Sequence, residues 1–374
     1  MEGGHVVLPR IKPALHRIWR DDTTLQVGLD PEHAVVITGL DAALRHVVDS
    51  LTGTRPLESV LTYGQAHGAS RSSVHKLLQL LGEAGALDDA RALDDLASPS
   101  PTEWERLRPD LEACSVAHGD PHAGAEALLR RRNSSVTVFG AGRVGALITS
   151  LIAAAGVGRV TVVDRAVTQP ADLSPGGLAT CDLGSPRADG AARAAQHAAP
   201  SCRVASGRTC PPAPPPDVAV VVPDVEPDRR LADAFVRAEI PHLVVRIREG
   251  RGILGPFVLP GVSSCIRCHD LQRAARDPGW PKVLSQVLEQ PRPAPTADIT
   301  LSTLLAAYAV LHVLTFLQGK RPASVDGTLE LDLRTGVPRR RSWSPHPACG
   351  CQFGPTADDS DQARPPGPRA RSSA

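Results

Sequence analysis

The stretch SVTVFGAGRVGALITSLIAAAGVGRVTVVD, residues 135–164, decides the fold. Its first five residues are apolar or β-branched and predict a buried strand. They run into Gly140, Ala141, Gly142, Arg143, Val144 and Gly145, the GxGxxG spacing. A helix follows, carrying Leu147, Leu151 and Ala155. Gly156 and Gly158 end it, and residues 160–163 form a second strand that closes on Asp164. Strand, glycine turn, helix, strand and acid is the order of a Rossmann-type unit. Asp164 stands near the expected distance of about 20 residues from the turn. Gly140, Gly142 and Gly145 let backbone N–H groups approach phosphate at a helix N-terminus. Asp164 can accept from a ribose hydroxyl pair. The pattern alone also fits a strand–turn–helix unit that binds nothing.

Composition bounds the rest. The chain has 374 residues, 42% hydrophobic, enough for two or three domains and a sizeable core. A formal net charge of +1 gives no global electrostatic case for nucleic acid or a membrane surface. Lysine is scarce, at Lys12, Lys76, Lys282 and Lys320, so the positive charge is almost all arginine. Residues 1–12 lack an apolar h-region, and a cytoplasmic setting is expected. The most apolar run, 301–317, is broken by Ser302, Thr303, Tyr308, His312 and Thr315, which predicts a buried helix rather than a span.

Cysteines form two tight pairs: Cys265 with Cys268, and Cys349 with Cys351. Four thiolates suit a closed, tetrahedral, structural zinc site, and such a site would tie the two segments together. Two unrelated pairs, or disulfides, remain the alternative. His269 and His346 are spare ligand candidates, read first as neutral surface histidines. Cys114, Cys181, Cys202 and Cys210 read as small buried or loop residues, with Cys181 or Cys210 as a less favoured catalytic thiol.

These motifs together resemble the ThiF/MoeB family, relatives of ubiquitin-activating enzymes, over roughly residues 131–353. Residues 140–173 resemble its nucleotide site, and 186–189 resemble the start of its lysine-bearing helix. Residues 218–222 followed by Asp224 resemble the strand that ends in its magnesium-binding aspartate. Residues 255–261 leading to Cys265 resemble the approach to its first zinc half-site. The resemblance implies ATP with Mg2+, structural Zn2+, adenylation of a carboxyl terminus, and a homodimer. It assigns cofactor contacts to Gly140, Gly142, Arg143, Gly145, Asp164 and Asp172, and catalytic roles to Asp224 and Arg187.

The chain also departs from that pattern. Ala166 stands where the family has a second aspartate, Pro175 where it has a phosphate-clamping arginine, and Arg187 where it has lysine. Arg143 replaces a glycine of the family turn. Adenylation is positioning and charge neutralisation, so these changes together predict weakened chemistry. Arginine is not a simple replacement for lysine at such a site.

Residues 1–105 read as a small α+β domain. Leu25, Val27 and Leu29, and then 34–37, predict strands split by a turn at Asp30 and Pro31. A helix over 57–67, a break at Gly68, and Ser70 as N-cap precede a helix over 73–85 with Val74, Leu77, Leu78 and Leu81 on one face. Leu87 then predicts a wing or strand. This order resembles a winged helix-turn-helix placed before a ThiF-like domain, as in leader-peptide-binding proteins of ribosomal peptide modification clusters. That resemblance implies a precursor peptide, or a small carrier protein, taken up by strand addition and presented to a modifying enzyme. The helix that would read DNA starts only modestly basic, at Arg71, His75 and Lys76, and ends at Glu83, which argues against DNA.

The chain as a whole is therefore expected to be an α/β protein. A mostly parallel Rossmann-like domain with a zinc site, 132–353, follows a winged-helix-like module, 1–105, and a helical linker, 106–131. The proline-rich stretches 211–216 and 291–295 predict loops, and 354–374 a disordered tail. Three functions remain open: a peptide-binding protein with weakened adenylation, an active adenylyltransferase, or a nucleotide-sensing repressor. The cysteine pairs argue against the repressor and against a dehydrogenase.

Overall fold

The computed structural model describes residues 7–31, 34–93, 100–209, 214–289 and 296–352. The chain divides into two compact units, residues 1–129 and 130–374.

The first unit opens with β1 (Pro9–Ile11), β2 (Arg17–Trp19), β3 (Leu25–Val27) and β4 (Val35–Ile37). β2, β3 and β4 form an antiparallel meander. Leu25 and Val27 point to the core, while Leu29 lies beyond the strand and is exposed, so the expected alternation stops one residue pair early. Then come α1 (Ala42–Ser50), α2 (Leu57–Ala66) and α3 (Arg71–Glu83). The Ser70 hydroxyl caps α3 by accepting from the Ser73 amide at 3.0 Å. Val74, Leu77 and Leu81 of α3 are buried against Val47, Val60 and Leu61, whereas Leu78 only borders this core.

After α3, β5 (Leu87–Asp89) pairs antiparallel with β1 rather than with the meander. Two helices, α4 (Pro101–His118) and α5 (Ala123–Asn133), occupy the segment expected as a linker and share an apolar cluster around Leu111, Ala125 and Leu128. The Lys12 ammonium is fully buried, donating to the Ser115 carbonyl of α4 at 2.6 Å with the Asp88 carboxylate 3.8 Å away. Burying an ammonium without such partners costs far more than burying a neutral polar group, so these contacts tie β1 and β5 to α4.

The second unit is built on an eight-stranded sheet. Its elements are β6 (Ser135–Phe139), α6 (Arg143–Ala154), β7 (Arg159–Val163), α7 (Arg187–Ala198), β8 (Arg203–Gly207), β9 (Val218–Val221), α8 (Arg229–Arg237), β10 (His242–Arg248), β11 (Arg251–Val258), α9 (Ile266–Arg276), α10 (Trp280–Glu289), α11 (Ile299–Leu317), β12 (Gly327–Asp332) and β13 (Pro338–Ser342). Strand order is β13-β12-β11-β10-β9-β6-β7-β8. From β8 to β10 all neighbours are parallel, and β11 to β13 continue antiparallel.

The parallel part has the doubly wound order in which chain direction reverses beside the first strand. Ligands of such sheets sit at that switch point, at the carboxyl ends of the strands. Here it lies between β6 and β9. Both faces are covered, as parallel sheets require. Val136, Val138, Val218, Val220, Leu243 and Val245 pack with α6, α7 and α11. Phe139, Ala219, Val221 and Val244 pack with Phe235 of α8 and Ile266 of α9.

By length and composition α11 could cross a membrane, but 56% of its most apolar 18-residue window is buried inside this fold, in line with the expected buried helix. Residues 214–216 of the first proline-rich stretch carry no helix or strand. Residues 291–295 and 354–374 lie outside the described residues.

Two buried histidines give the second unit a pH dependence. Burial pushes His242 down to about 4 and His312 down to about 4, against about 6.5 in an unfolded chain. Below pH 6.5 the unfolded chain therefore binds protons that the folded one refuses. Stability is full above about 6.5 and falls as pH drops towards 4. Urea unfolding midpoints should be level from pH 8 to 7 and decline between 6.5 and 4, by up to about 3 kcal/mol for each histidine. A His242→Phe variant should decline less steeply, and an equal slope would remove His242 from this account.

Candidate functional site

Gly140 leaves β6 with φ of +101°, and a Cβ there would lie 2.0 Å from the Val222 carbonyl oxygen. A Cβ at Gly145 would lie 1.8 Å from the Gly140 carbonyl oxygen. Neither position tolerates a side chain, so the glycines are fixed by close backbone approach. Gly142 is the N-cap of α6 and has no capping side chain. Its free space faces Asp224, Arg187 and Asp172, at 3.5, 3.7 and 3.7 Å from where a Cβ would stand. The uncapped amides and the helix dipole favour an anion in that space.

Asp164 ends β7. Its carboxylate accepts from the Ala141 amide at 2.6 Å and the Ala166 amide at 2.7 Å. Arg187 is the first residue of α7 and is buried. Its guanidinium forks onto Asp172, with Nε to Oδ2 at 2.7 Å and Nη2 to Oδ1 at 2.6 Å. Nη1 lies 3.4 Å from both Asp224 oxygens and 4.0 Å from Asp164 Oδ2. Burial opposes the charge on Arg187, but the bond to Asp172 and the charges of Asp224, Asp172 and Asp164 overcome it and raise its pKa.

Three carboxylates against one guanidinium leave the site negative. A triphosphate would need a cation to enter, and Mg2+ typically takes one or two carboxylates plus phosphate oxygens. Among the described residues, only the cysteine cluster treated below brings three or more potential ligand atoms within reach of one ion.

Of the sequence-predicted residues, Gly140, Gly142, Gly145, Asp164, Asp172, Asp224 and Arg187 thus converge on one crevice. Arg143 does not turn into it, because its Nη1 donates to the Ala297 carbonyl at 2.9 Å, just ahead of α11. Ala166 contributes only backbone, its carbonyl accepting from the Arg187 amide at 3.0 Å. Pro175 is exposed and brings no charge.

The cysteines converge as well. Cys265, Cys268, Cys349 and Cys351 are all buried, with sulfurs within 4.8 Å of one another. Sγ pairs lie at 3.8 Å (265 to 268), 3.4 Å (265 to 349) and 3.4 Å (268 to 351). Tetrahedral zinc with bonds of about 2.3 Å needs sulfurs about 3.8 Å apart, so the cluster can hold such a metal. Gly350, at φ +70°, makes the short second bite possible. The pKa of the Cys268 thiol is lowered, first by the hydrogen bond from Cys265. The His346 amide also points at its sulfur, 3.3 Å away.

His269 is buried and stacked on Trp343, with ring centroids 4.4 Å apart, so the surface reading of this residue is corrected. Cys114 and Cys202 are buried, Cys181 is exposed, and Cys210 lies outside the described residues.

Sequence reasoning missed a group of arginines just past Asp224. Val244, Arg246 and Arg248 share one face of β10, beside Glu226, and two of the three carry charge. Charged residues on one face of a buried strand were the available signal.

The close approach at Gly140 yields a direct test. Gly140→Ala should push the turn away from β9 and cost at least about 2 kcal/mol, through a strained φ and a steric clash. Thermal unfolding checks this, and an unchanged midpoint would mean that the turn does not touch Val222.

The ThiF family model matches residues 120–352. No curated protein matches the chain. Among solved structures, E. coli MccB with ATP is similar at 14% identity, covering 92% of this chain and 99% of that one, with a TM-score of 0.66. The microcin C7 biosynthetic enzyme MccB in complex with N-formylated MccA gives 15% identity, 92% and 99% coverage, and a TM-score of 0.64. PaaA gives 16% identity, 89% and 99% coverage, and a TM-score of 0.64. These likenesses show that the chain shares the fold of those proteins. The chain belongs to the ThiF family.

Proposed function

We propose that this protein binds a nucleotide at the glycine turn and a precursor peptide through its first unit, presents that peptide to a modifying enzyme, and adenylates weakly. The carrying observation is the convergence of Asp164, Asp172, Asp224 and Arg187 around Gly142 at the switch point of the sheet. In this reading the amides of the turn and of the α6 N-terminus face phosphate, Asp164 takes the ribose hydroxyls, and Asp224 holds Mg2+. A fold like that of MccB, a protein solved with ATP and with MccA, supports both ligands.

Weakness follows from how Arg187 is used. Its Nε and Nη2 donors are committed to Asp172, so a phosphate must compete with an existing charge-assisted fork. Pro175 and Ala166 supply neither cation nor carboxylate. Among the described residues neither outer strand of the meander β2-β3-β4 pairs with a further strand, and an extended peptide could add there, the leader-clamp mode of a winged-helix-like module. Zn2+ in the four-cysteine site would be structural, tying Cys349 and Cys351 to the start of α9. A small carrier protein as ligand, a homodimer and a cytoplasmic setting belong to the same reading.

An active adenylyltransferase is the second reading, and the retained Asp224 beside Gly142 favours it. ATP–pyrophosphate exchange with candidate peptides separates the two. Exchange should be slow or undetectable while nucleotide binding persists, and Asp224→Ala should weaken Mg2+-nucleotide binding by about tenfold or more. Fast exchange abolished by Asp224→Ala would establish the second reading. Elemental analysis should find one zinc per chain, lost in Cys268→Ala.

A further inference from the structure

β10 runs parallel to β9, with Val244 opposite Val221, so Arg246 and Arg248 stand beyond the end of β9, level with the segment that follows Asp224. Glu226 lies in that segment, and α8 brings Arg229 while α9 brings Asp270 and Arg273. Arg229 is fully employed: Nε and Nη2 bind Asp270 at 2.9 and 3.2 Å, and Nη1 binds Glu226 at 3.1 Å and the Pro227 carbonyl at 2.7 Å. Arg248 contacts Glu226. Arg273 reaches Asp270 only at 3.8 Å and otherwise lies over the Trp280 and Trp343 rings, at 4.9 and 5.2 Å.

Arg246 is the anomaly. Its side chain is 2% exposed, and neither Nε nor Nη1 makes a hydrogen bond. The carboxylate of Glu226 lies 3.7 Å from Nη1, beyond hydrogen-bond distance. Buried guanidinium N–H groups without a hydrogen-bond partner are costly, and native proteins rarely leave them so.

Charge accounting points the same way. Four guanidiniums, at 229, 246, 248 and 273, face two carboxylates, Glu226 and Asp270. Glu330 and Glu249 add some attraction from further off, but Glu330 is already shared by Arg251 and Arg341. Burial and then the neighbouring arginines push both Arg246 and Arg273 down to about 10.

We infer that Arg246, Arg248 and Arg273 form a second anion site, separate from the glycine turn, that takes a phosphate dianion. Two uncompensated guanidiniums match its two charges, and forked N–H donors match its oxygens. Arg248, at 33% exposure, forms the mouth, and Arg229 is a positioning residue locked by Asp270. The phosphate could be free or carried by a nucleotide. This inference does not rest on the proposed peptide binding or on adenylation.

Trp280 and Trp343 border Arg273, so tryptophan fluorescence of the full chain reports the site. Inorganic phosphate, titrated at constant ionic strength against chloride, should give a saturable change with an affinity in the millimolar range or tighter. Arg248→Gln and Arg273→Gln should each weaken it at least tenfold, and Arg187→Gln should leave it unchanged. Circular dichroism checks folding, and either arginine variant suffices if the other unfolds. Competition by AMP would identify a nucleotide phosphate as the source, and its absence would identify free phosphate. Three results overturn the site: no saturation by phosphate, an equal response to chloride or acetate, or loss in Arg187→Gln with retention in Arg248→Gln.

Discussion

The backbone at residues 140–145 turns so tightly, and passes so close to the end of β9, that a β-carbon has no room at Gly140 against the Val222 carbonyl or at Gly145 against the Gly140 carbonyl. Everything at the site follows from this approach. It sets the N-terminus of α6 at the switch point of the sheet, with its amides uncapped. It also brings the segment after β9, and with it the Asp224 carboxylate, beside Gly142 and Arg187. A bulkier turn would separate the helix terminus from the acids, and the crevice would lose one of its walls.

Around Asp224 charge is arranged with opposite imbalance on two sides. Towards the glycine turn, three carboxylates surround Arg187. Past Asp224, four arginines surround two carboxylates. The first arrangement favours a divalent cation and the second an anion. Neither is explained by stability alone, because buried charges without full pairing are weak contributors to folding. Arg187 is held by a two-bond fork while Arg246 is held by none, and this difference divides a neutralised arginine from one poised for a ligand.

The four-cysteine cluster serves the same geometry from a distance. Its first pair opens α9, and α9 supplies both Asp270 and Arg273 to the arginine group. A metal there would fix the start of α9 against the segment at 349–351. His269, one residue past Cys268, adds a second anchor by stacking on Trp343 and accordingly has no free surface role.

The sequence made legible the strand–glycine turn–helix–strand unit, its closing Asp164, the paired cysteines, and α2, α3 and the Ser70 N-cap of the first unit, but not α1. These rest on local physics: glycine's backbone freedom, apolar periodicity, the bite of two thiols across one to two residues, and a hydroxyl within reach of an amide. It also named Asp172, Arg187 and Asp224, but only through likeness to a family, since nothing in their spacing shows that they meet. The tertiary structure alone decided that Arg143 turns to the Ala297 carbonyl, that β5 pairs with β1, that Lys12 and His269 are buried, and that Arg246 lacks hydrogen bonds on two of its nitrogens. Each of these depends on which distant segment fills the space beside a residue. Strand pairing and helix packing settle that question, and no local pattern encodes it.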